Sequence, residues 1–207
     1  ICDLIEILNK SIKNNEKILL EGAQGRELDK RFGNQPNVTS SHTIVSEASA
    51  GIGINPKLID NVLGVGKAYC TKVGNHIFTT KMEDSKLSSN LKKYEFGSTT
   101  GRQRMVGWFD LVQTRFSQIV NGHTELAITK LDLLKGAKEI KVAIAYEVSG
   151  KKYLLPPNDP EELKKAKPLY KTFKSWQQDI SKIRNFNDLP KEAKKYLNFI
   201  VKELNNI

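Results

Sequence analysis

The stretch from Phe109 to Tyr146 constrains the fold of this chain more than any other. Apolar residues at Phe109, Val112, Phe116, Ile119 and Val120 recur at helical spacing, which predicts a helix over 109–120. Two short apolar strands follow, Glu125–Thr129 and Ile140–Tyr146, joined by a connection of about ten residues. Strands of this apolar kind, alternating with helices, must be covered on both faces. They predict an α/β fold, a mostly parallel sheet with flanking helices.

The flanking segments fill in the organisation. Leu4, Ile5, Leu8 and Ile12 predict an amphipathic helix over 3–14, and Lys17–Glu21 reads as a short buried strand cut off by Gly22. Residues 22–56, rich in Gly, Ser, Thr, Asn and Pro, read as a long loop, and 61–70 as a further strand. Four of the seven prolines fall within 151–175, which predicts an irregular excursion. Asp188-Leu189-Pro190 then leads into a helix to about Leu204, with Asp188 as its cap and Pro190 in its first turn. Residues 1–150 are thus expected to form the central sheet part with the ligand-binding segments. Residues 151–207 would be an excursion and helix of the same domain.

Chemistry concentrates in residues 97–104, Gly-Ser-Thr-Thr-Gly-Arg-Gln-Arg. Two glycines, three hydroxyls and two arginines make poor core. Glycine lets the backbone approach a ligand closely, hydroxyls and amides cradle an anion, and each guanidinium grips a carboxylate or phosphate through paired hydrogen bonds. A second signal follows the predicted strand 125–129, where Thr129-Lys130-Leu131-Asp132 stands one residue away from the Asn-Lys-x-Asp turn of GTP-binding proteins. A carboxylate there accepts from both the ring N–H and the exocyclic amine of guanine, and the lysine stem lies over the base.

The net charge of +10 suggests acidic partners, but residues 151–207 hold thirteen Lys/Arg against seven Asp/Glu, mostly lysines of the kind that line solvated helix faces. Without aromatic interleaving or a reading helix, that charge does not identify a nucleic-acid binder. Cys2 and Cys70 have no metal-like spacing, and no apolar run approaches the roughly 20 residues of a bilayer span. His42, His76 and His123 are scattered and read as structural or surface residues. No secretory leader is visible, so a cytoplasmic protein without membrane association is expected.

With these segments in place, the chain resembles the adenylosuccinate synthetase family. The resemblance rests on Glu-Gly-Ala-Gln-Gly (21–25), Leu-Asp (28–29), Val-Thr-Ser-Ser (38–41) and Lys-Ala-Tyr-x-Thr-x-Val-Gly (67–74). It continues through Glu-Phe-Gly-x-Thr-Thr-Gly-Arg-x-Arg (95–104), Gly-Trp-x-Asp (107–110), Thr-Lys-Leu-Asp (129–132), Glu-Ile-Lys-Val (139–142), Ala-Tyr (145–146) and Leu-Pro-x-x-Ala-x-x-Tyr (189–196), all in the family's order.

That resemblance implies a ligase fold of P-loop-NTPase type, present here as a partial domain. It implies GTP-dependent joining of aspartate to inosine monophosphate (IMP), giving adenylosuccinate, in a magnesium-using homodimer of purine biosynthesis. By alignment, Gln24, Thr39 and Arg102 would contact IMP, and Ser98, Thr99, Thr100, Gly101, Arg102, Gln103 and Arg104 would form the loop over aspartate. Arg104, Lys130, Leu131 and Asp132 would meet GTP. The family's glycine-rich phosphate loop, catalytic acid and magnesium ligand do not appear in this sequence. The chain is therefore expected to be the C-terminal half of such an enzyme, with no catalytic or metal residue of its own and no turnover alone. The alternatives are a catalytically silent nucleotide- or anion-binding module and a related ligase acting on a different purine monophosphate. The latter draws on Ile44-Val45-Ser46-Glu47, which stands where the family commonly has Thr-Ala-Gly-Gly.

Overall fold

The computed structural model describes residues 2–97 and 101–205, so the predicted loop residues Ser98, Thr99 and Thr100 lie outside the described residues. The chain divides into two units, residues 1–64 with 117–125 and residues 65–116 with 126–207.

In the first unit the predicted N-terminal helix is present as α1 (Leu4–Lys13). Asp3 caps it, accepting from the Glu6 amide at 3.1 Å, and Leu8 is its buried residue. The predicted strand Lys17–Glu21 does not form: the segment pairs with no strand among the described residues, and Leu19 is 91% exposed. An apolar run becomes a strand only when a neighbour takes its N–H and C=O groups. The predicted loop 22–56 contains a helix that periodicity does not reveal, α2 (Val45–Ile52). Ile44 gives it no side-chain cap; instead Asn121 Oδ1 accepts from the Val45 amide at 3.0 Å, and Gly53, at φ +71°, ends it in the left-handed conformation glycine tolerates.

The predicted strand 61–70 is broken by a bend at Ala68 and Tyr69 into β1 (Leu63–Lys67) and β2 (Cys70–Lys72). After α3 (Lys86–Lys92) come β3 (Met105–Gly107), β4 (Phe109–Asp110) and α4 (Leu111–Asn121), so the predicted helix 109–120 gives its first two residues to a strand. Strands β5 (Glu125–Thr129) and β6 (Ile140–Val148) fall where the sequence placed them. The fold is α/β as expected. Parallel pairing joins β4 to β6, and β1 and β5 also run together: Thr124 N donates to Val62 O at one end and Ala68 N to Thr129 O at the other. Antiparallel pairing joins β2 to β3 and places β7 (Lys151–Tyr153) and β8 (Lys167–Phe173) beside β6.

The expected irregular excursion over 151–175 is therefore corrected. It holds β7, α5 (Pro160–Lys165) and β8. Two of its prolines sit where they do least harm, Pro160 at the start of α5 behind the cap Asp159, and Pro168 near the beginning of β8, which among the described residues pairs with β6 alone.

Helix α6 (Lys191–Asn205) closes the second unit's core with Ala193, Tyr196 and Ile200, all fully buried. Asp188 does not cap it. Asp188 ends a preceding 3-10 turn, and the Pro190 carbonyl takes the first helical bond from Lys194 N at 3.0 Å, which places Pro190 at the cap position. The Tyr196 ring stands edge-on to Phe109 and Phe173, with centroids at 6.4 and 5.7 Å, and its hydroxyl donates to Ala68 O at 2.7 Å. Buried Arg115 ties α4 to β6 and α6, donating to Ile144 O at 2.7 Å and to Glu203 Oε2 at 2.6 Å. Gly107 is required by space, since a β-carbon there would strike the Phe78 ring and lie 2.8 Å from Thr80 O.

Candidate active site

The parallel pair β1–β5 sets the site. Ala68 N donates to Thr129 O at 2.8 Å and Thr129 Oγ1 to Gly66 O at 3.1 Å, so Lys67 and Lys130 leave neighbouring strand ends together. Carboxyl ends of parallel strands are where open α/β sheets habitually receive ligands. Lys130 takes a left-handed backbone, φ +58°, and starts the single 3-10 turn Leu131–Leu134.

Residues 95–97 pair with residues 101–104. Arg104 N donates to Glu95 O at 2.9 Å, Phe96 bridges to Gln103, Gly97 N donates to Arg102 O at 2.8 Å, and Gly101, at φ +62°, donates to Gly97 O at 2.9 Å. Gly101, Arg102 and Gln103 are exposed and Arg104 half-buried. The Arg104 Nε is buried with no hydrogen-bond partner among the described residues.

Between the hairpin and the turn lies Glu95, only 2% exposed. Its Oε2 accepts from Lys67 Nζ at 2.7 Å; its Oε1 accepts from Lys130 Nζ and from the Tyr69 hydroxyl, each at 2.7 Å. Lys130 Nζ reaches Tyr94 O as well, at 3.4 Å. Burial alone would raise the Glu95 pKa, but the bonds from Lys130, Lys67 and Tyr69 hold it below the ordinary carboxylate value. Burial lowers the Lys67 ammonium against the pull of Glu95, and burial together with the Glu95 bond pushes the Tyr69 phenol well up. Two ammoniums and the nearby Arg104 guanidinium outnumber the Glu95 and Asp132 carboxylates, so the locality is positive and suited to anions. Beside it Asp132 is half-buried, and its carboxylate has no hydrogen-bond or ion-pair partner among the described residues.

Of the residues expected at a ligand, the second unit thus brings together Arg104, Lys130, Leu131 and Asp132, with Arg102 on the hairpin. Glu95, Lys67 and Tyr69 had no assigned role in the sequence reading. The Lys-Ala-Tyr and Glu-Phe-Gly blocks held them, but the bend that turns both partners onto one carboxylate leaves no periodic trace.

Gln24 and Thr39 belong to the first unit. Gln24 is exposed with φ +65°, and Thr39 N donates to Leu28 O at 2.8 Å. Their loop is organised on Asp29, which is fully buried. Its Oδ1 accepts from the Arg31 and Phe32 amides, both at 2.8 Å, its Oδ2 accepts from the Thr43 amide at 2.6 Å, and His42 Nδ1 stands 3.4 Å away. Burial raises its pKa, yet these bonds outweigh it and bring the value down to about 2. His123 packs against Gly64, and burial lowers its pKa.

Among the described residues no three His, Cys, Asp or Glu side chains gather where they could hold a metal ion, and no helix is long and apolar enough to cross a membrane.

A family model described as adenylosuccinate synthetase matches residues 1–206. The adenylosuccinate synthetase of Salinibacter ruber is 44% identical over 97% of this chain and 46% of its own length, and that of Kluyveromyces lactis 47% identical over 97% and 46%. A solved structure of fully ligated adenylosuccinate synthetase from Plasmodium falciparum superposes with a TM-score of 0.94 at 36% identity, covering 99% of this chain and 50% of that one. The chain spans about half the length of the relatives it matches.

Proposed function

This chain belongs to the adenylosuccinate synthetase family, and from that premise we propose that it contributes substrate-binding parts of a GTP-dependent ligase joining aspartate to IMP. The reading is carried by the Asp132 carboxylate, unpartnered among the described residues, beside Lys130 and across Glu95 from a hairpin bearing two arginines.

Guanine presents a ring N–H and an exocyclic amine on one edge, and Asp132 accepts from both; adenine has no such pair there. The Lys130 stem lies against the base while its ammonium stays on Glu95. Aspartate carries two carboxylates, and Arg102 and Arg104 grip them with a planar geometry that lysine lacks. Arg104 also faces GTP. Ser98, Thr99, Thr100, Gly101 and Gln103 complete the loop over aspartate, and Gln24, Thr39 and Arg102 hold IMP. The reaction phosphorylates the purine 6-oxygen and then displaces that phosphate with the amine of aspartate. This chain's share is to place the reactants and neutralise developing negative charge. Magnesium, which the family implies, would be held by residues that the longer protein supplies together with the phosphates of GTP. The working form is a cytoplasmic homodimer.

The test is steady-state turnover by the protein at the length of its relatives, with the 207 residues assayed alongside. The longer protein is expected to form adenylosuccinate only with GTP, IMP and aspartate all present, and the 207 residues to form none. Asp132→Ala should raise the KM for GTP by about tenfold or more and relax discrimination against other nucleotides. Indifference of the longer protein to aspartate or GTP overturns the reading. Turnover with another purine monophosphate in place of IMP would favour the related ligase.

A further inference from the structure

The cluster around Glu95 joins two substrate sites that the functional reading treats separately. Three observations converge on it. The Glu95 backbone carbonyl accepts from Arg104 N and closes the base of the hairpin that carries both arginines. Its carboxylate, 2% exposed, holds the Lys130 ammonium at the start of the guanine-side turn. The same carboxylate holds Lys67 and Tyr69 on either side of Ala68, and Ala68 is pinned through its carbonyl by the Tyr196 hydroxyl and through its amide to Thr129. A buried carboxylate with three donors on two oxygens is rigid, and loss of its charge would leave two ammoniums facing each other with nothing between them.

We infer that Glu95 is a positioning residue coupling the guanine-side turn to the aspartate hairpin, so that the Lys130 ammonium and the Arg102–Arg104 segment hold their working places together. The inference rests on the functional reading above. Glu95 touches neither substrate. It acts through Lys130 on one side and through the hairpin base on the other. Both of its oxygens are engaged, one by Lys67 and the other by Lys130 and Tyr69.

The test uses the protein at the length of its relatives and measures KM for GTP and for aspartate, each with the other substrates saturating. Glu95→Gln keeps the volume and removes the charge. It is expected to raise both KM values by about tenfold, with a smaller change in kcat. The sharper readout crosses between sites. Lys130→Met, on the guanine side, should raise the aspartate KM about threefold, and should add nothing further when combined with Glu95→Gln. Should Glu95→Gln not fold, Lys130→Met and Tyr69→Phe carry the test, since each removes one donor and leaves Glu95 charged; both should raise the aspartate KM. If the wild-type protein uses neither GTP nor aspartate, the functional reading falls and this inference with it. If it uses both, yet Lys130→Met leaves the aspartate KM unchanged or adds fully to Glu95→Gln, the coupling alone is wrong.

Discussion

Asp29 and Glu95 are both closed off from solvent, and both carboxyls titrate below their ordinary range, yet the donors around them differ in kind. Around Asp29 they are mainly backbone amides, Arg31, Phe32 and Thr43, drawn from a stretch without regular structure. Around Glu95 they are side-chain tips, two ammoniums and a phenol. A carboxylate that collects amides fixes the path of the chain. One that collects ammoniums fixes where charges stand. The first is a structural device that orders the loop around Asp29; the second, on the function proposed above, arranges groups that a ligand meets. The contrast predicts that damage at Asp29 appears chiefly as lost stability and damage at Glu95 chiefly as altered substrate binding.

The largest effect should come from Asp29→Ala. It leaves three amides without their acceptor, and two of them, on Arg31 and Phe32, share a single oxygen. We expect a loss on the order of 3–5 kcal/mol, read as a lower urea midpoint, with faster hydrogen exchange at the Arg31, Phe32 and Thr43 amides. If Asp29→Ala keeps the wild-type midpoint while binding suffers, the division of labour drawn here is reversed.

Acid should act in the same direction and more gently. The folded pKa of Asp29 is held near 2 against an ordinary 3.8, so in this window the unfolded chain binds the proton more readily. Its contribution is complete above about pH 4 and is lost as pH falls toward 2, a total on the order of 2 kcal/mol. Glu95 is depressed as well and adds with the same sign. Thermal melts between pH 5 and pH 2.5 should show the decline, and Asp29→Asn should flatten it by removing the larger titrating group. A decline of unchanged steepness in that variant would place the acid sensitivity elsewhere.

What the sequence revealed follows the same physical line. Elements with a local signature were legible: α1 and α6 from apolar spacing, β5 and β6 from short apolar runs, and the turn at Lys130 from the residues that follow β5. Elements that depend on distant partners were not. Lys17–Glu21 has the composition of a strand without a strand beside it among the described residues, and α2 starts from an amide that Asn121 receives 76 residues away. The prolines of 151–175 concealed a helix that begins at one and a strand at the sheet's edge that contains another. Both carboxylate hubs belong to this second group. Asp29 and Glu95 were visible as letters in matching blocks, but a hub is defined by its donors, and Lys67, Tyr69 and Lys130 lie 28, 26 and 35 positions from Glu95.

The smallest effect expected is at Tyr69→Phe, and it sharpens the comparison most. The phenol shares Oε1 of Glu95 with Lys130, so its removal takes one donor and no charge from the hub. Stability should fall by only about 1 kcal/mol, because both lysines still pair with the carboxylate and the ring remains buried. The Lys130 ammonium would then have Oε1 to itself and would settle differently on it. The nucleotide and aspartate KM values should therefore move, by about twofold to threefold, while the melting temperature shifts by only a few degrees. Neutral donors can be spared from such a hub and charged ones cannot. A loss of several kcal/mol at Tyr69→Phe with unchanged KM values would instead make the Glu95 hub a fold-holding device of the same kind as the Asp29 loop.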